Sequence, residues 1–274
     1  MDQTLALEIL LSGENALLTG PAGSGKTYVL NQFVRLAKKS GKHVSVTATT
    51  GLAATHLGGS TIHAWSGIGI HDELPTNFHE NMYKGRLDTI IKTDVLIIDE
   101  ISMLHDYRLD MVDQIAREVR GEDIPFGGIQ VILCGDFFQL PPVNRGDQSA
   151  ASFVVSSNAW EELDPVICYL DEQHRQNDDK FLEILSALRA GDIRRRHAED
   201  LLVRQNADVG EATELHTTNV DVDAINAQAL AQLPGEEHTY RAVTTGKASY
   251  VESLTRSCLA LDELVLKKGA LIMC

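Results

Sequence analysis

The sequence predicts an α/β fold, a parallel sheet with helices on both faces organised around a phosphate-binding loop, and three observations predict it. Short apolar runs suited to buried strands recur at residues 15–19, 44–48, 95–99 and 130–134. The segments between the strands carry apolar residues at helical spacing, as in Val29, Leu30, Phe33, Val34 and Ala37 before the stop at Ser40 and Gly41. Joining the first strand to the first such helix is Gly20-Pro21-Ala22-Gly23-Ser24-Gly25-Lys26-Thr27, two glycines four residues apart followed by Lys and Thr.

That loop is the centre of the reading. Glycines let backbone N–H groups turn inward around an anion, and the following helix directs its positive N-terminal end to the same place. Lys26 is expected to reach the β- and γ-phosphates of ATP, and the Thr27 hydroxyl to ligate Mg²⁺. A glycine-rich turn without a ligand is the alternative, but strand, loop and helix come in the order the mechanism needs.

Ahead of the loop, Gln3 precedes an amphipathic segment over residues 5–11. Its amide matches adenine in a bidentate pair, and it reads equally well as a solvated terminal side chain. After the loop, the strand at 44–48 opens into Thr49, Thr50 and Gly51, followed by Thr61, Ile62, His63, Ala64 and Trp65. Strand ends of this kind bind ligands in α/β sheets, and small hydroxyl and backbone donors suit nucleic-acid phosphates. His63 is either a contact or a satisfied turn residue, whereas Trp65 reads more readily as core than as a base-stacking surface. The periodicity then fails around Pro75, Asn77 and Gly85, which predicts a small rim insertion over about 66–92.

Asp99 and Glu100 end the third strand. Two adjacent carboxylates at a buried strand end repel each other unless a cation compensates, so Asp99 reads as a Mg²⁺ ligand, usually through water, and Glu100 as the base for the attacking water. Leu109, Val112, Ile115, Ala116 and Val119 mark a helix closed by Gly121. The fourth strand runs into Gly135-Asp136-Phe137-Phe138-Gln139-Leu140-Pro141-Pro142-Val143, where Gln139 is expected to sense the γ-phosphate or orient water and the prolines to stiffen the exit.

Composition bounds the rest. A chain of 274 residues exceeds most single cores, so one domain and all or part of a second are expected. No apolar run is long enough to cross a bilayer and the start carries no basic signal, which gives a cytoplasmic expectation and no membrane partner. Cys134, Cys168, Cys258 and Cys274 lack paired metal-ligand spacing and read as thiols. The net charge of −15 argues against a surface that attracts nucleic acid as a whole, leaving only a local groove for it.

Taken together, the phosphate loop, the stretch from Thr49 to Trp65, Asp99-Glu100-Ile101-Ser102-Met103, the helix with Ala116-Arg117-Glu118-Val119-Arg120 and the Gln139 loop resemble the petite-integration-frequency (PIF-type) DNA helicases of superfamily 1, relatives of the RecD helicases. The resemblance implies RecA-like domains, ATP hydrolysis in a cleft between two of them, and five-prime to three-prime movement on single-stranded or forked DNA. It gives Gln3 the adenine-reading role, makes Thr50, Gly51, His63 and Phe138 candidates for DNA contact, and makes Arg175 an arginine reaching the γ-phosphate from the second domain. Arg175 by itself also reads as a surface residue. The expected boundary lies near Asp164 and Pro165, giving a first RecA-like domain at 1–164 and an incomplete second one at 165–274, with a strand at 213–217, a helix at 220–233 and a flexible linker at 242–249. A monomer is expected. Two readings follow: an ATP-driven DNA helicase acting in replication, repair or recombination, or a truncated nucleotide-binding module without motor activity. A phosphate-loop kinase is a distant third, because the Gln139 loop has no role in it.

Overall fold

The computed structural model describes all residues except 70–71, 144–151, 173–177, 206, 208–212, 247–250, 252–254, 256–261 and 273–274. In chain order the elements are α1 (Gln3–Ser12), β1 (Ala16–Thr19), α2 (Lys26–Lys39), β2 (Val44–Ala48), α3 (Gly51–His56), β3 (Ser60–Thr61), α4 (Ile62–Ser66), α5 (Lys84–Lys92), β4 (Val95–Asp99), α6 (Asp106–Arg120), β5 (Gln130–Gly135), α7 (Asn158–Leu163), β6 (Val166–Tyr169), α8 (Asp179–Ala190), α9 (Arg195–Arg204), α10 (Asn219–Gln232), β7 (His238–Arg241) and β8 (Glu263–Leu266). The chain forms two compact units, Met1–Asp200 and Leu201–Cys274.

The first unit is built on a six-stranded sheet of order β3-β2-β4-β5-β1-β6, in which every pair is parallel. Because successive side chains in a strand point to opposite faces, each apolar run feeds two cores. Leu17, Leu96, Ile98, Val131 and Leu133 face α4, α5, α6 and α7, packing with Ile62, Ile90, Leu109, Val112, Ile115 and Leu163. Ala16, Leu18, Val95, Ile97, Ile132 and Cys134 face α1 and α2, packing with Ala6, Leu10, Val29, Leu30 and Phe33. Burial on both faces is why these strands read as continuous apolar runs rather than alternating ones.

Register then fixes where the polar ends go. Thr19 lies opposite Gly135, Ile98 opposite Leu133, and Ala48 opposite Asp99. The carboxyl ends of β1, β5, β4 and β2 therefore form one rim, where an open parallel sheet binds ligands.

Three sequence expectations are corrected here. The domain boundary does not fall at Asp164–Pro165: β6 pairs along its length with β1, Ala16 opposite Val166 and Thr19 opposite Tyr169, and the division lies between Asp200 and Leu201. Asp164, at φ 42°, turns the chain from α7 back to the sheet, so a residue pair that looks like a linker is a tight corner. The stretch 66–92 is no rim insertion, since Ile68, Met82 and Ile90 are buried in the core and α5 leads directly into β4. Its apolar residues are simply too irregularly spaced to show a period. Finally, Thr213, Leu215 and their neighbours to Thr217 form no strand, and the second unit carries α10 and an antiparallel β7–β8 pair. Of the expected linker, 242–246 has no helix or strand and 247–249 lies outside the described residues.

Candidate active site

The loop between β1 and α2 is shaped by its glycines. Gly20, Gly23 and Gly25 have φ of 146°, 87° and 88°, and a Cβ on Gly20 would stand 2.3 Å from the Leu170 carbonyl oxygen. Both conformation and space thus exclude a side chain at Gly20. Helix α2 begins at Lys26 directly after Gly25, so its unpaired first-turn N–H groups and its dipole are aimed into the loop. Lys26 Nζ donates to the carbonyls of Gly20 at 2.9 Å and Pro21 at 3.1 Å, folding its charge back over the loop. Ser24 Oγ is fully buried without a hydrogen-bond partner, an orphaned polar atom in the wall of this cradle. Thr27 is exposed on the first turn of α2, and Gln3 Nε2 donates to the Ser24 carbonyl at 3.2 Å, which ties the start of α1 to the loop.

Two strands away on the same rim stand the acids. Asp99 is the last residue of β4, and Glu100 follows in the left-handed region at φ 54°, ψ 41°. Asp99 Oδ1 accepts from the Glu100 N–H at 2.9 Å, while the Thr49 hydroxyl donates to the Glu100 carbonyl at 3.0 Å and the Thr49 N–H to the Asp99 carbonyl at 3.2 Å. These bonds hold a backbone conformation that a residue with a Cβ adopts at a cost of about 1–2 kcal/mol. Burial pushes the Glu100 carboxyl up, the Asp99 and Asp136 carboxylates push it further, and Lys26 opposes them. The net upward shift suits a proton acceptor working nearer neutrality than a free glutamate. Cys134, buried beneath, is pushed well up by burial and by Asp99 and stays a neutral thiol.

On the rim between the loop and the acids, β5 delivers Asp136. Only 3 % exposed, it accepts the Phe138 N–H on Oδ1 at 3.1 Å and the Arg189 guanidinium on Oδ2 at 2.8 Å. Its carbonyl accepts the Gln139 N–H at 2.9 Å, and Gln139 Nε2 lies 3.5 Å from Oδ2. Burial pushes the Asp136 carboxyl up, but the bonds from Arg189 and the Phe138 N–H, with the charges of Arg189 and Lys26, outweigh it and hold the group below its usual range.

A model of the PIF1-like helicases matches residues 2–199. The chain belongs to that family. It is 45% identical over 286 residues to the ATP-dependent DNA helicase Pif1 of Psychrobacter sp., covering all of this chain and 43% of that relative. It superposes on the crystal structure of Pif1 helicase from Candida albicans with a TM-score of 0.84 at 34% identity, covering 97% of this chain and 62% of that one. The Pif1 helicase from Bacteroides in complex with ADP-AlF3 and ssDNA gives 0.73 at 29% identity, with coverages of 97% and 64%. The chain spans less than half the length of the curated relatives it matches. Its six-stranded parallel sheet with flanking helices is the RecA-like domain of the PIF1-like helicases.

The remaining expected residues of this PIF1-like helicase chain divide. Thr50 caps α3, its hydroxyl accepting the Ala53 N–H at 3.3 Å, and Gly51 is exposed as the first residue of that helix. His63 lies on α4, where burial and the nearby Arg108 charge push its pKa down and keep the ring neutral. Phe138 is 69% exposed at the top of the Gln139 loop, whereas Trp65 is core. Arg175 lies outside the described residues. The basic run at 194–196 is internally neutralised, Arg194 pairing with Asp192, Arg195 with Glu199 and Arg196 with Glu183. In α6, Arg117 and Arg120 are structural: Arg117 pairs with Asp113 and Glu162, and Arg120 donates to the carbonyls of Gly127, Ile91 and Thr93.

Sequence reasoning missed Asp136 and Arg189. An acid after a strand is unremarked beside the Asp99–Glu100 pair. Arg189, last-turn arginine of α8, looks like an ordinary cation at a helix C-terminus.

Proposed function

We propose that this chain is the ATP-hydrolysing motor portion of a DNA helicase that moves five-prime to three-prime on single-stranded or forked DNA and serves DNA repair and recombination. The observation that carries the reading is the gathering of Lys26, Glu100 and Gln139 on the adjoining ends of β1, β4 and β5. A phosphate cradle, a raised carboxylate and a glutamine loop on one rim are what triphosphate cleavage requires. The Bacteroides relative with ADP-AlF3 and ssDNA supports both ligand classes.

The residues fit a magnesium–triphosphate. The cradle leaves Ser24 Oγ unpaired, Gly20 admits no side chain, and the Thr27 hydroxyl and Asp99 carboxylate are hard oxygen donors of the type Mg²⁺ takes. When bound, Mg²⁺ supplies charge neutralisation across the phosphates. Lys26 exchanges the Gly20 and Pro21 carbonyls for phosphate oxygens, Gln3 meets the adenine edge, Glu100 takes the proton of the attacking water, and Gln139 orients that water. Arg175 adds positive charge to the transferring phosphoryl group. Thr50, Gly51 and His63 contact the DNA backbone, and Phe138 stacks on a base. The motor works as a cytoplasmic monomer.

A second reading, a nucleotide-binding module without motor activity, is favoured by the net charge of −15. ATP hydrolysis by this chain with and without single-stranded DNA separates the two. Stimulation by DNA supports the motor; binding of ATP with turnover and affinity indifferent to DNA supports the module.

A further inference from the structure

Arg189 occupies a position that the ATP-binding residues alone do not explain. Its guanidinium donates to Asp136 Oδ2 at 2.8 Å, and its Cζ lies 4.3 Å from the centroid of the Phe138 ring and 5.9 Å from that of Tyr169. The arginine is 19% exposed and the aspartate 3%. One cation therefore clamps the carboxylate that accepts the Phe138 N–H on Oδ1 and faces the Gln139 side-chain amide at 3.5 Å on Oδ2, and also lies over the ring of Phe138. Phe138 remains 69% exposed, so the ring has a face left for a planar partner. A guanidinium on one face and a base on the other is a stack in which each layer fixes the next.

We propose that Arg189 is a positioning residue that couples base stacking on Phe138 to the placement of Gln139. This deepens the ATP- and DNA-binding reading above and rests on it. A base settling on Phe138 presses the ring onto the guanidinium, the guanidinium grips Asp136, and Asp136 sets the Gln139 amide. The path is short, since Phe138 and Gln139 are adjacent and share one carboxylate anchor. It also runs both ways, because a coupling between two binding events is reciprocal.

The test uses Phe138→Trp in the whole chain as a fluorescent reporter, with oligo-dT and a non-hydrolysable ATP analogue with Mg²⁺ as probes. In this parent, oligo-dT is expected to quench the reporter, and the analogue to change oligo-dT affinity at least threefold. Adding Arg189→Met is expected to reduce that coupling to unity while each probe still binds. Adding Arg189→Lys keeps a charge for Asp136 but loses the planar layer, and is expected to retain analogue affinity with oligo-dT bound several-fold more weakly. Thermal unfolding followed by circular dichroism identifies a variant that fails to fold, in which case the lysine variant alone decides: unchanged coupling and unchanged oligo-dT affinity overturn the proposal. Coupling intact in a folded methionine variant overturns it as well. A parent that binds neither probe overturns the functional reading and this inference with it.

Discussion

Lys26 Nζ lies 2.9 Å from the Gly20 carbonyl oxygen and 3.1 Å from that of Pro21, so the loop is braced by the same cation that would meet a phosphate. On the proposed function, nucleotide binding is an exchange of partners for the ammonium. Lys26→Ala removes a charge-assisted interaction of about 1.5–3 kcal/mol, so affinity for a fluorescent ATP analogue should fall about ten- to a hundredfold. Unchanged affinity in an equilibrium titration would dismiss the loop as the phosphate site.

Glu100→Gln should behave differently. The amide keeps the size of the side chain and removes the proton acceptor, so nucleotide affinity should hold while single-turnover hydrolysis slows by about 10²–10⁴. If this variant lost binding as Lys26→Ala does, the division of labour between the two residues would be wrong.

The raised pKa of Glu100 has consequences for pH dependence. The folded state binds the carboxyl proton more tightly than the unfolded state, so stability contributed below the unfolded pKa is lost as pH rises through the folded one. Activity moves the opposite way, because the base must be ionised. The acid limb of the hydrolysis rate should therefore lie above the usual carboxylate range. Melting temperature measured across that window should decline more in the parent than in Glu100→Gln; parallel curves would contradict the shift.

Phe138→Ala should separate binding from folding. At 69% exposure the ring contributes little to the core, and stability should change by no more than about 0.5 kcal/mol. Loss of one stacking platform, worth about 1–3 kcal/mol per base, should weaken oligo-dT binding by about five- to a hundredfold in fluorescence anisotropy. Equal binding by both proteins would remove Phe138 from the nucleic-acid surface.

Arg120→Met gives the converse. Its guanidinium donates at 2.6 Å to Gly127 O, 2.9 Å to Ile91 O and 3.1 Å to Thr93 O, stitching α5 and the turn before β5 to α6. Losing it should cost about 2–3 kcal/mol and lower the melting temperature by several degrees, with ATP-analogue affinity retained. A normal melting temperature in this variant would contradict the structural role.

How far the sequence reveals this molecule follows from the range of the interactions involved. Gly20 through Thr27 is legible because its geometry is local: glycine conformations, a helix start and a lysine within eight residues. The strands ending at Thr19, Asp99 and Gly135 are legible because burial on both faces leaves continuous apolar runs. What escapes is long-range. Val166–Tyr169 is an apolar run in either domain, and only its ladder with Ala16–Thr19 assigns it to the first sheet. Asp136 and Arg189 are 53 residues apart, and neither shows in sequence that the other will be its partner. Ile68, Met82 and Ile90 reach the same core without a common period, which hides the segment that carries them.

The left-handed backbone at Glu100 sets durability against chemistry in this protein. A glycine there would shed the conformational penalty and one of three crowded negative charges, gaining up to about 1 kcal/mol. Any laboratory selection that rewards only heat resistance would therefore be drawn to this position and would return a tougher protein without the carboxylate proposed as its base.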